Sequence, residues 1–176
     1  FTVEEKKLWI LQTRVGKRNG TAAIKIALDM YKEKIYNKHT MLNKISPNHI
    51  NEILLPMIDD SKIINCIPIA RGLPAGPGCA TGQVVFDSDT AEQLFQKGHS
   101  IVLVREETSP EDVQGMFAAK AILTSRGGMT SHAALVARGW GKCCIVGCAE
   151  LQIDYNKKCF QVNNKIIKEG DWITLN

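Results

Sequence analysis

Residues 126–148 read RGGMTSHAALVARGWGKCCIVGC, and this run limits the fold more than any other stretch of the chain. Ala121–Thr124 is apolar and predicts a buried strand that leads into Gly127 and Gly128. Thr130 or Ser131 then caps a helix, and Cys143–Val146 reads as the next strand. Glycines let the backbone turn consecutive N–H groups toward one point. The start of a helix adds unpaired N–H groups and the positive end of its dipole. Together these predict an anion site with an imidazole, His132, built into it. A capped helix whose histidine fills a surface position is the plainer reading of a Gly-Gly-x-Thr-x-His motif taken alone.

A phosphoryl carrier needs what this loop supplies. An imidazole must be neutral to attack phosphorus, and histidine side chains titrate near about 6.5 when nothing perturbs them. The positive helix end disfavours an imidazolium and stabilises a negatively charged phosphorylated product. Thr130 and Ser131 offer hydroxyls, and Arg126, across the glycine turn, is placed to clamp phosphoryl oxygens. Arg138 falls on another helix face, where a surface or partner-domain contact is expected. Leu135 and Val136 are expected to lie beneath the imidazole and bury the helix. Arg71 and Arg105 are open between phosphate or domain contacts and surface pairing with Glu106 or Glu107. His39, His49 and His99 carry no motif.

The run resembles the phosphohistidine signature of the pyruvate phosphate dikinases: GGMTSHAA, then an ARG-x-GKCC segment and a closing Gly-Cys. Leu11–Arg14, Ala70–Ala75 and Val104–Asp112 carry the same likeness, while Val15, Gly76 and Trp140 depart from it. Phosphoenolpyruvate synthase and enzyme I of the sugar phosphotransferase system are similar over less of the run. They usually have Arg at the position of Met129 and lack Cys143-Cys144. The resemblance implies an α/β fold, a layered β/β/α swivelling phosphohistidine domain preceded by a helical linker. Residues 1–19 would end an ATP-grasp-type nucleotide-binding domain, residues 20–66 form the linker, and residues 67–176 form the carrier.

The activity implied is the reversible conversion of ATP, phosphate and pyruvate to AMP, diphosphate and phosphoenolpyruvate. His132 would be catalytic, carrying the phosphoryl group, with Arg126, Gly127, Gly128, Thr130 and Ser131 in support. Gln12 and Arg14 would reach the nucleotide. Mg2+ would serve the nucleotide and pyruvate sites, with none bound by this segment. The implied partners are the nucleotide domain and a pyruvate-binding barrel of the same polypeptide, in a homodimer. Plant members are inactivated at the threonine matching Thr130, a regulatory phosphorylation candidate. The alternatives are a phosphoenolpyruvate synthase-like enzyme and a non-catalytic docking module with a structural His132.

Along the rest of the chain, Leu8–Thr13 reads as a strand. A helix from Thr21 presents Ile24, Leu28, Tyr31 and Ile35 on one face, and Ser46-Pro47 opens a second with Ile50, Ile53, Leu54 and Met57. Asp59–Lys62 is a polar break, with the domain boundary expected at Lys62–Cys66. Gly82–Phe86 and Ile101–Val104 read as strands, and Asp89–Glu92 and Ser109–Asp112 as helix openings. Gly72–Gly78 reads as a stiff turn-rich entry. Cys159–Val162, Lys165–Lys168 and Trp172–Leu175 read as a closing meander.

Composition narrows the classes further. No apolar run approaches a membrane span. The net charge of +4 lies in residues 1–67, with 11 Lys or Arg against 7 acids, whereas residues 68–176 balance at 11 and 11. A nucleic-acid module would place the excess on its functional half, so neither nucleic acid nor membrane is expected as a partner. None of the six cysteines forms a C-x-x-C pair, which favours reduced thiols and a cytoplasmic setting, an organelle remaining open. The first residues carry no signal peptide, and the opening Phe1 favours a segment of a longer chain that would not turn over alone.

Overall fold

Parallel strands at the centre of this fold are buried on both faces, which is why their sequences are continuously apolar rather than alternating. The computed structural model describes residues 1–13, 16, 18–59, 61 and 67–176. The chain divides into two compact units, residues 1–54 and 55–176. Arg14 and the boundary expected at Lys62–Cys66 lie outside the described residues.

In the second unit a six-stranded sheet runs in the order β11-β4-β5-β6-β7-β3. Its strands are β3 (Leu73–Gly76), β4 (Ala80–Val85), β5 (Ile101–Arg105), β6 (Ala121–Thr124), β7 (Cys143–Val146) and β11 (Trp172–Leu175). β4, β5, β6 and β7 are parallel, and the two edge strands run antiparallel to them. Alternation sorts the side chains between two cores. Ile101, Leu103, Ile122 and Cys144 point to a core shared with helix residues Ala91, Met116, Ala133, Ala134 and Ala137. Val102, Val104, Ala121, Leu123 and Cys143 point to the other core, which also holds Phe160 and Val162.

The helices of the first core are α4 (Ser88–Gln96), α5 (Val113–Ala118) and α6 (His132–Gly139). The second core is closed by a small antiparallel sheet of β8 (Gln152–Asp154), β9 (Cys159–Val162) and β10 (Lys165–Lys168). Small sheet, large sheet and helices make the layered β/β/α arrangement.

Several local expectations change. Leu73–Gly76 is an edge strand, not only a turn-rich entry; a register shift between Pro74 and Gly76 accommodates the proline. Trp172–Leu175 leaves the meander and pairs with Ala80–Gln83. The cap of α4 is Asp87, whose carboxylate accepts from the N–H of Thr90 at 2.7 Å.

The first unit holds a hairpin, β1 (Thr2–Glu4) with β2 (Lys7–Trp9), so the strand ends at Trp9 rather than continuing to Thr13. Three helices follow: α1 (Gly20–Lys32), an additional α2 (Lys38–Asn43), and α3 (Pro47–Ile53). The buried side of α1 is Gly20, Ala23 and Ala27, whereas Leu28, Tyr31 and Ile35 are exposed. Close packing of helices selects small residues: a Cβ at Gly20 would lie 2.4 Å from the His49 carbonyl oxygen. His49 completes a capping box, its Nδ1 taking the N–H of Ser46. Ile50, Ile53, Leu54 and Met57 are likewise exposed.

Candidate active site

The carboxyl ends of β5 and β6 lie side by side, with Arg105 registered against Thr124. Loops leaving neighbouring parallel strands at one level converge on one crevice. Thr108 arrives on the first loop and His132 on the second, and Thr108 Oγ1 lies 2.9 Å from His132 Nδ1. Sequence reasoning missed Thr108; its position three residues past a buried strand beside the glycine-loop strand was the available signal.

The glycine turn is held by short bonds. Thr124 Oγ1 donates to the carbonyl of Arg126 at 2.6 Å, and Gly127 takes a left-handed φ of 93°. Gly147, with φ 64°, passes so close that a Cβ there would lie 2.6 Å from the Gly127 carbonyl oxygen. Ser131 is the N-cap of α6, its Oγ accepting from the N–H of Ala134 at 3.4 Å. Among the described residues, no carbonyl takes the N–H groups of His132 and Ala133. Two orphan donors at a helix start form a ready seat for an anion.

A cleft of about 160 Å³ is lined by Glu107, Thr108, Thr124, Arg126, Ser131, His132 and Ala133. Thus Arg126, Ser131 and His132 meet, while Gly127, Gly128 and Thr130 lie on the loop without lining it. Thr130 is exposed. Arg126 pairs with Glu106 at 3.6 Å, the arginine side chain largely in solvent and the glutamate partly so. Such a pair contributes little and yields readily to a better anion. Gln12 is exposed, in the first unit.

Arg138 and Arg105 have structural partners. Arg138 reaches back to the carbonyls of Ala134 and Met129, tying α6 to the loop before it. Arg105 lies 3.3 Å from buried Asp112 and donates to the Phe86 carbonyl, rather than pairing with Glu106 or Glu107. The backbone N–H of Arg71 donates to Glu150 Oε1 at 3.3 Å. Leu135 is exposed rather than beneath the imidazole, because Ala133, Ala134 and Ala137 form the buried face of α6. Among the described residues, no three His, Cys, Asp or Glu side chains group as metal ligands, and no helix is long and apolar enough to cross a membrane.

Residues 97–176 match the family model of the PEP-utilising enzyme mobile domain. All 176 residues are 52% identical to a pyruvate, phosphate dikinase, chloroplastic, of Mesembryanthemum crystallinum. They are 51% identical to pyruvate, phosphate dikinase 1, chloroplastic, of Arabidopsis thaliana, and 48% to pyruvate, phosphate dikinase 2 of Zea mays. Residues 97–176 thus belong to the PEP-utilising mobile-domain family. The chain is similar to these pyruvate, phosphate dikinases along its whole length and spans 18–20% of theirs.

Proposed function

We propose that His132 takes up a phosphoryl group on Nε2 and carries it between two remote sites of a pyruvate phosphate dikinase. The observation that carries this reading is the hydrogen bond between Thr108 Oγ1 and His132 Nδ1, beside the orphan N–H groups of His132 and Ala133. With Nδ1–H donated to Thr108, the lone pair lies on Nε2. That lone pair forms the N–P bond as the P–O bond to the leaving group breaks, and the oxygen departs with its electron pair. The Nδ1 proton stays in place, and Thr108 stabilises the cationic ring through a charge-assisted bond. Arg126 exchanges Glu106 for phosphoryl oxygens, and the N–H groups at the start of α6 hold the third oxygen.

Residues 1–19 end a nucleotide domain, 20–66 form a helical linker, and 67–176 form the carrier. Gln12 and Arg14 serve the nucleotide, and a barrel binds pyruvate elsewhere in the homodimeric protein. Mg2+ belongs to those other sites, where it neutralises nucleotide and pyruvate oxygens. The cleft here offers one carboxylate, Glu107, which does not make an oxygen cage. The segment alone does not turn over. The relatives' chloroplastic names make an organelle as compatible a location as the cytoplasm.

Incubating the full-length enzyme with ATP, with and without inorganic phosphate, tests the assignment. Phosphate-dependent formation of acid-labile, base-stable phosphoenzyme is expected. Phosphoenzyme formed equally well without phosphate would instead indicate a synthase-like enzyme, and none under either condition a docking module.

A further inference from the structure

Resting on that reading, we propose that Asp112 is a positioning residue that sets the direction of Thr108 and so holds the His132 imidazole with Nε2 toward the phosphoryl group. Thr108 can fix the ring only if its own loop is fixed, and residues 106–109 make no regular structure. The loop is clamped at both ends. On the strand side, the N–H of Glu106 donates to Tyr155 Oη at 2.8 Å, and the carbonyl of Glu106 accepts from the N–H of Arg126 at 2.9 Å. On the helix side stands Asp112, only 5% exposed.

Asp112 serves both oxygens. Oδ2 accepts from the N–H of Ser109 at 2.9 Å and from Ser109 Oγ at 3.3 Å. Oδ1 accepts from Ser88 Oγ at 3.0 Å and lies 3.3 Å from Arg105 Nε. The Ser109 N–H belongs to the Thr108–Ser109 peptide plane, so holding it sets the direction in which the Thr108 side chain leaves the backbone. Arg105 closes the arrangement, donating to the Phe86 carbonyl at 3.0 Å and lying over the Tyr155 ring whose hydroxyl holds Glu106. An asparagine would keep one acceptor and turn its amide N–H groups toward either the Ser109 N–H or Arg105 Nε, neither of which can accept. A helix cap alone would need only the Ser109 contact; the ion pair of buried Asp112 with partly exposed Arg105 joins the two clamps on either side of Thr108.

The test is a double-mutant cycle in the full-length enzyme, comparing Asp112→Asn, Thr108→Val and the pair. The rate of phosphoryl uptake from phosphoenolpyruvate is measured, together with the phosphohistidine isomer recovered from an alkaline digest. Each single variant should slow uptake about tenfold or more and release some of the phosphate as the Nδ1 isomer. The pair should be no slower than the worse single variant, because both act through one contact.

Additive losses, or a folded Asp112→Asn enzyme with normal rate and only the Nε2 isomer, would overturn the positioning role. If Asp112→Asn does not fold, Ser88→Ala replaces it: a smaller loss, again not additive with Thr108→Val, supports the role, and no loss overturns it. Absence of phosphate on the unsubstituted enzyme overturns the functional reading and the positioning role with it. Normal uptake by both the unsubstituted and Asp112→Asn enzymes overturns the role of Asp112 alone.

Discussion

Thr108 Oγ1 and His132 Nδ1, 24 residues apart, approach to 2.9 Å because their loops leave adjacent parallel strands at the same register. The contact engages Nδ1 of the imidazole. Replacing Thr108 with Val keeps the shape and removes the hydrogen bond. A bond to a charged group contributes about 1.5–3 kcal/mol, so phosphoryl uptake should fall by roughly 10- to 150-fold. Thr108→Ser should retain most of the rate. Rapid-quench labelling of the full-length enzyme measures both, and an unimpaired Thr108→Val enzyme would remove the contact from the mechanism.

Thr130 is exposed, two residues before His132, and the cap of α6 is Ser131 instead. Thr130→Val should therefore leave uptake near normal. Thr130→Asp adds a negative charge close to the incoming phosphoryl group and should reduce uptake at least tenfold, more strongly at low salt. A Thr130→Asp enzyme with ordinary uptake at low ionic strength would contradict a shared anion site.

The glycine turn is fixed from outside itself. Gly147 has φ 64°, and a Cβ there would press on the Gly127 carbonyl oxygen at 2.6 Å. Gly147→Ala should cost about 1–3 kcal/mol in urea unfolding, as a left-handed residue against rigid backbone. Gly128→Ala meets nothing within 4 Å and should change stability by less than about 0.5 kcal/mol. Equal stability of the two variants would show that Gly147 does not brace the turn.

Cys143 and Cys144 sit on opposite faces of β7, in separate cores. Burial pushes their thiols up, to about 11 and about 12 from 9.0. The folded state thus binds these protons more tightly than the unfolded chain. Their contribution to stability is complete below about pH 9 and is lost as pH rises through about 11 to 12. Native protein treated with iodoacetamide at pH 8 should keep both thiols unmodified while partly exposed Cys79 and Cys159 react. Alkylation of Cys144 before unfolding would contradict its place in the core.

The elements around His132 were legible because their signals are local: apolar β6 and β7, a cap at Thr130 or Ser131, and glycines where the chain turns. The opposed faces of Cys143 and Cys144 follow from strand alternation alone. Pairings across long separations left no such mark. Trp172–Leu175 joins Ala80–Gln83 rather than its neighbour in sequence, and Thr108 finds His132 across two loops. Size also misled: the large residues of α1 marked an apolar face, but close packing selected Gly20, Ala23 and Ala27. On α6 the same preference put alanines inward and Leu135 outward.

The most direct test of the carrier role is to incubate the full-length enzyme with phosphoenolpyruvate labelled in its phosphoryl group and map the label by peptide. One acid-labile, base-stable phosphate is expected, on the peptide containing His132, and it should disappear in a normally folded His132→Asn enzyme. Label on any other residue, or label retained by His132→Asn, would contradict the carrier role.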